Sequence, residues 1–340
     1  MADTGKKNKH IGHIIKIAVA AIGLYLAFKD LSWNDIVKLF GAWDSLIIAF
    51  GLFFASQLVF VTRWLVLLRV QNISINFFAA VKLHLLGLFY NNCLPGAVGG
   101  DALRAWYVTK HTEKKIEAAL SVFVDRIVGL ASTIAMAFLA YWLIPIDSSG
   151  NGEQSGENFN FISLLVKLMI FIAAFVLFAG ATLAVMYYNR KLRPILLKYI
   201  FILGIRWTFW VGRIINAFKL YCSKPFTLLL AVIMSFICQT IPIFGFWLVG
   251  HNLGIEAHIK YYYVFFPLSW IIGIIPISPG GLGVVDLSLK SMFKVIGVPE
   301  ADGGLLALTQ RLILLLISIP GVIIHITGKH LPDEMENPKS

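Results

Sequence analysis

Charge is scarce in this sequence. Only 14% of its 340 residues are Asp, Glu, Lys or Arg, while 58% are hydrophobic. Soluble chains carry about 25% charged and about 45–50% apolar residues, so a soluble domain is excluded. The mean hydropathy of +0.79 points the same way, to a polytopic membrane protein. Acids are scarcer than bases, 18 against 29, which leaves a net charge of +11. In a membrane chain that excess reads as loop charge facing anionic lipid, not as a nucleic-acid surface.

Cysteine is sparse too. Cys93, Cys222 and Cys238 stand far apart with no C-x-x-C, which excludes a disulfide framework and a thiolate metal site. The eight histidines form no H-E-x-x-H, and no Walker-type phosphate loop or soluble catalytic signature occurs. No metal, no cofactor and no catalytic residue are therefore expected. The chain is read as a non-enzyme.

What it has in abundance is long apolar runs. Crossing a hydrocarbon core of about 30 Å takes on the order of 20 apolar residues. Spans are expected at Ile11–Phe28, Ser45–Val70, Ile116–Leu143, Asn160–Tyr188, Phe226–Gly250 and Leu305–Gly328. The first follows Lys6, Lys7 and Lys9 as a signal peptide would. Its small-residue run Ala18-Val19-Ala20 lies inside the apolar stretch, so a retained helix is expected. Two further runs, Ile75–Tyr90 and Tyr261–Ile277, lead straight into Pro-Gly segments.

Loop charge decides how these two runs sit. The three leading lysines and the basic stretch Asn189–Lys224 belong in the cytoplasm, and the loop with Asp147, Glu153 and Glu157 outside. If Ile75–Tyr90 crossed fully, Lys110, Lys114 and Lys115 would lie outside and the acidic loop inside. A re-entrant hairpin restores the order. The same reasoning makes Tyr261–Phe293 a hairpin from the outer side, with Lys290 and Lys294 as exceptions. The expected fold is thus all-α, with six spanning helices and two re-entrant helical hairpins. It forms one transmembrane domain over 1–328, in inverted halves at about 11–143 and 160–328. A cytoplasmic tail, 329–340, follows, and both termini lie inside.

The hairpin tips repeat a motif. Pro95-Gly96-Ala97-Val98-Gly99 matches Pro279-Gly280-Gly281-Leu282-Gly283 as P-G-x-[VL]-G, with Asp101 and Asp286 following. Paired Gly/Pro-interrupted apolar segments mark the binding site of inverted-repeat transporters. A helix from Asp101 to Lys110 spans about 15 Å, so its positive end starts near mid-membrane, where an anion is favoured. Non-helical backbone at that depth must be buried or line a wet cavity.

Ionisable groups in the membrane zone are few and costly. Asp101, Asp125 and Asp286 are the carboxylates; Arg63, Arg126 and Arg311 are arginines at similar depth, with Arg104 one turn along from Asp101. Arg63 and Lys82 are read as snorkelling towards the interface, and Lys167 as lying near a helix end. Two readings stay open: buried ion pairs that hold helices together, or a cationic, glycine-lined cavity for an anionic head. Arginine suits phosphate through its planar fork.

LPGAVGGDALR, the run Asp125-Arg126-Ile127-Val128-Gly129-Leu130 and PISPGGLGVVD resemble the lysylphosphatidylglycerol synthase transmembrane-region family, also called flippase-like domain proteins. The likeness covers about Ile11 to Gly328. The family includes the membrane half of the bacterial multiple peptide resistance factor, which moves aminoacylated phosphatidylglycerol to the outer leaflet. It also includes stand-alone proteins linked to hopanoid or glycolipid traffic. The resemblance assigns Pro95, Gly99, Gly100, Asp101 and Arg104 to the first motif. It assigns Pro279, Gly280, Gly281, Gly283 and Asp286 to the second, where Glu is frequent in place of Asp286. Only HLPDEMENPKS follows Lys329, so no lysyl-lipid synthesis is expected.

Together these readings predict a flippase for an anionic phospholipid or polyprenyl-phosphate-linked lipid in a bacterial inner membrane. Arg104, Arg126 and Arg311, with Gly99, Gly100, Gly280, Gly281 and Gly283, would bind the substrate. Asp101, Asp125 and Asp286 would gate or couple protons. Membrane lipids, a second copy or a lipid-synthesis enzyme are the expected partners. A lipid-modifying enzyme and a non-transporting scaffold are the alternatives.

Overall fold

A computed structural model describes residues 18, 20–93, 99–110, 112, 114–143, 220–221, 223–275 and 278–327. Among these residues the chain is all helix, without strands. The first helix, α1, covers 20–28. It is followed by α2 (Trp33–Gly41), α3 (Trp43–Val70), α4 (Phe77–Cys93), α5 (Gly99–Lys110) and α6 (Lys115–Leu143). The second half holds α7 (Pro225–Asn252), α8 (Ile259–Gly273), α9 (Val284–Val295) and α10 (Glu300–Ile326).

Four helices, α3, α6, α7 and α10, are long and apolar enough to cross a membrane. Each runs 27 to 29 residues, about 40 Å at 1.5 Å per residue. They answer to the expected spans at Ser45–Val70, Ile116–Leu143, Phe226–Gly250 and Leu305–Gly328, the last beginning earlier, at Glu300. The expected span Ile11–Phe28 is described from residue 20 onward, apart from residue 18. Asn160–Tyr188, the acidic loop, most of the basic stretch and residues 94–98 lie outside the described residues.

The long helices turn apolar side chains outward. On α6 the exposed residues Phe123, Ile127, Leu130, Ile134 and Phe138 recur at helical spacing and form a lipid-facing stripe. Several hydroxyls at this depth bond back to their own helix, as Ser56 does to the Phe53 carbonyl and Thr62 to that of Leu58, which satisfies those donors without water. The short α2 begins with a capping box between Ser32 and Asp35. Its exposed Trp33, Val37 and Phe40 form one stripe suited to the headgroup boundary.

Between the long helices lie two hairpins, α4–α5 and α8–α9. Their helices have 17, 12, 15 and 12 residues, about 18–26 Å, so none can cross alone. The first hairpin closes where Gly87 meets Gly100. A Cβ on Gly100 would come within 2.1 Å of the Gly87 carbonyl oxygen, so only glycine permits this approach. The tips of the two hairpins touch: a Cβ on Gly280 would lie 2.9 Å from the Asn91 carbonyl oxygen.

The helix pairs that pack together are symmetric under exchange of the halves. The pairs α4·α5 and α8·α9, α5·α6 and α9·α10, and α4·α10 and α6·α8 correspond, while α3·α7 maps onto itself. Along α3·α7, Gly245 packs on Ala49 while Arg63 bonds Ser235, so the two helices run antiparallel. A two-fold that exchanges antiparallel spanning helices lies across them, in the membrane plane. That is the inverted-repeat arrangement.

The exceptions to the charge rule have a structural reason. Lys290 is buried and pairs with Asp30, with Glu300 at 3.3 Å and with the Leu26 carbonyl at 3.1 Å; Lys294 reaches Glu300 at 2.5 Å. Two acids offset both lysines, so neither is a loose loop charge.

Candidate functional site

A cavity of about 350 Å³ sits where the two hairpins meet, lined by residues of both halves. Two Asp–Arg pairs flank it at matching positions. Asp101 and Arg126 stand 25 residues apart, as do Asp286 and Arg311. In each pair the acid follows the glycine motif and the arginine lies on the next long helix.

The second pair is sealed. Arg311 Nε donates to Asp286 Oδ1 at 3.1 Å and Nη2 to Oδ2 at 2.6 Å, and both side chains are buried. Asp286 also accepts the Gly283 N–H at 2.8 Å, and Arg311 Nη2 reaches the Gly281 carbonyl at 3.4 Å. The positive end of α9 therefore faces the chain's own carboxylate. Gly283 makes this turn with φ +75, where a side chain would be strained, and a Cβ there would sit 2.6 Å from the Ala20 carbonyl oxygen on α1.

The first pair is looser. Asp101 is shared: Arg104 Nη1 donates to its Oδ1 at 3.3 Å, and Arg126 Nε contacts Oδ2. The Arg126 side chain is 42% exposed, against 6% for Arg311. At this tip the Gly100 N–H donates to Asn91 Oδ1 at 2.7 Å, so a side chain again takes up a backbone donor. Arg104 is buried, its guanidinium 4.1 Å from the Trp64 ring centroid and 5.3 Å from that of Phe60. Its Nε and Nη2 have no hydrogen-bond partner among the described residues.

Arg63 departs from the sequence reading. It does not snorkel but is buried, donating to Asp125 Oδ1 at 2.8 Å and to Ser235 Oγ at 2.7 Å. A charge at this depth is held by a carboxylate and a hydroxyl rather than by water. Lys82, by contrast, is exposed.

Of the predicted site residues, Gly100, Asp101, Arg104, Asp125, Arg126, Gly280 and Arg311 line the cavity. Asp286 lies behind Arg311. Gly99 opens α5, while Gly281 and Gly283 shape the second tip. Pro95 lies outside the described residues. Sequence reasoning missed Arg63, Gln57, His84, Gln239 and Gln310 in the lining; His84 Nε2 and Gln57 Oε1 are hydrogen-bonded at 2.8 Å. The repeated 25-residue Asp-to-Arg spacing could have linked each motif to its arginine.

Comparison with known proteins places this architecture. The profile of the lysylphosphatidylglycerol synthase TM region matches residues 13–321. A UPF0104 membrane protein of Methanocaldococcus jannaschii is 23% identical over 79% of this chain and 80% of its own length. Others from Pyrococcus horikoshii and Methanothermobacter thermautotrophicus are 22% and 24% identical, over 88% and 90% of this chain and 92% and 91% of theirs. No solved structure matches. The apolar spans, the paired hairpins and the matched profile agree: this chain belongs to the family of the lysylphosphatidylglycerol synthase transmembrane region.

Proposed function

We propose that the protein carries an anionic lipid, a phospholipid or a polyprenyl-phosphate-linked lipid, from one membrane leaflet to the other. The observation that carries this reading is the arginine-lined cavity at the meeting of two inverted hairpins. Its volume lies in the range of small-molecule sites, about 300–1,000 Å³. Leu130 and Ile274 line it and are also about two-fifths exposed. A head could therefore enter from the side while its acyl chains stay in lipid.

The unequal ion pairs suggest how access alternates. With the α9–α10 pair sealed and the α5–α6 pair loose, one side of the cavity is favoured. Exchanging the two states across the two-fold would open the other, as inverted repeats allow. In this reading Arg104 and Arg126 receive the phosphate, and Asp101 and Asp286 gate by competing for their arginines. The membrane is the cytoplasmic membrane of a prokaryote, bacterial or archaeal, with both termini inside, as the loop lysines argue.

The test is reconstitution into liposomes with a labelled anionic lipid. The loaded vesicles should exchange label between leaflets faster than empty ones, and Arg126→Ala should slow exchange roughly tenfold or more. Equal rates in loaded and empty vesicles would refute transport. A time-dependent change in lipid mass would replace it with an enzymatic reading, and tight co-purification with a synthase, without exchange, with a scaffold.

A further inference from the structure

His84 is the only histidine among the described residues that line the cavity, and histidine is the side chain that changes charge between about pH 5 and 8. It is buried on α4 and stacks on the Phe60 ring, 4.8 Å between centroids. A chain of hydrogen bonds along α3 fixes its tautomer. Ser56 Oγ donates to the Phe53 carbonyl at 2.6 Å, so its oxygen accepts from Gln57 Nε2 at 3.3 Å. The Gln57 amide oxygen is thereby turned to His84 Nε2, 2.8 Å away. Nε2 therefore carries the hydrogen of the neutral ring. Nδ1 keeps a lone pair with no partner among the described residues, and a further proton binds there.

The charges around the ring are of two kinds. Helix α3 presents Arg63, α5 Asp101 and Arg104, α6 Asp125 and Arg126, and α10 Arg311. Asp101 and Asp125 are each bonded to an arginine, which favours their ionised forms. Cys238 of α7 also lines the cavity, but a thiol ordinarily titrates near about 8.5. Tyr107 of α5 lies with Leu83 and Leu86 of α4, and His325 of α10 meets the Tyr90 hydroxyl; neither lines the cavity. The guanidiniums of Arg63 and Arg104 sit 4.5 and 5.3 Å from the centroid of the Phe60 ring on which His84 stacks. The charge of Arg126 bears on His84 as well. Positive charges this close oppose a further proton on the imidazole, and an anion among them removes that opposition. Arg104 Nε and Nη2, buried donors without partners among the described residues, are where an anion is received.

We infer that His84 is the proton site of this cavity, taking up a proton at Nδ1 from water as an anion binds beside it. Anion and proton then travel together, so a proton gradient sets the direction of movement. Only that last consequence rests on the transport reading; the linkage of proton to anion is measurable without it.

The experiment titrates wild-type protein, in detergent at low buffer strength, with dihexanoyl phosphatidylglycerol. The charge of this probe is constant across the histidine range, so any proton taken up belongs to the protein. A pH indicator should record up to about one proton per lipid bound. By linkage, the affinity should fall by up to about tenfold per pH unit as pH rises through the range in which the ring is charged only beside the anion. His84→Gln keeps a donor for Gln57 but takes no proton; it should bind without uptake and with a flat pH profile. In wild type labelled with nitrogen-15 histidine, one imidazole signal should pass from neutral to charged on adding lipid, a change that a packing role does not produce. Binding without uptake, uptake that survives in His84→Gln, or histidine signals indifferent to lipid would overturn the inference. Absence of binding would overturn it together with transport. Uptake without leaflet exchange would sustain this inference and refute transport; exchange without uptake would do the reverse.

Discussion

Asp101 and Asp286 follow the same motif and meet an arginine 25 residues on, yet the two halves treat them differently. Asp286 holds Arg311 through both carboxylate oxygens, out of water. Asp101 divides itself between buried Arg104 and half-exposed Arg126. Position 289, the counterpart of Arg104 at the same spacing, is a buried leucine. The second half therefore closes on itself electrostatically, and the first keeps a guanidinium with open donors. Inverted halves of common design thus differ: one pairs its arginine fully, and the other leaves the donors of Arg104 open among the described residues.

The largest expected effect breaks the locked side. Arg311→Ala leaves the Asp286 charge buried without its counterion, and the cost should be about 3–5 kcal/mol, read as a fall in melting temperature in detergent. A smaller loss than that of Arg126→Ala would overturn the division between the halves.

Next come the two backbone approaches. Gly283→Ala and Gly100→Ala should each destabilise by about 1–3 kcal/mol, Gly283→Ala the more because its positive φ adds strain. Thermal melting of both variants checks the order.

Arg126→Ala should cost about 1 kcal/mol or less, because solvent screens the half-exposed pair, while slowing lipid exchange strongly. A variant that melts as wild type but exchanges normally would remove Arg126 from the site.

The smallest effect lies at the contact between Asp30 and Lys290. The hydrogen bond from Lys290 holds the Asp30 carboxyl below its ordinary value. Its stabilising effect is present above about pH 4, the ordinary aspartate range, and is lost as pH falls through the lowered value. The melting gap between wild type and Asp30→Asn should therefore narrow on acidification. A gap constant from pH 7 to pH 3 would assign it to packing.

Much of the layout was legible in one dimension because membrane chemistry is written locally. A run such as Trp43–Val70 must be a helix to satisfy its own backbone in lipid, and P-G-x-[VL]-G is a local signal for a break in helix. The loop lysines predicted opposite senses for the two hairpins through a charge rule that needs no contacts. Arg63 was not legible: its carboxylate lies 62 positions away and its hydroxyl 172, and nothing local separates a paired arginine from a snorkelling one. Nor was the placement of Arg104 against Trp64, which depends on how α5 packs on α4 and α6.

By itself, then, the sequence determined a helical membrane protein with two glycine-tipped hairpins of opposite sense and acids at their tips. Only the tertiary structure decided which arginine each acid holds and which buried donors, Arg104 Nε and Nη2 among them, have no partner among the described residues. The reason is physical. Helix formation and membrane placement follow from neighbouring residues, whereas the energy of a buried charge is set by whatever distant side chain the packing brings within about 3 Å.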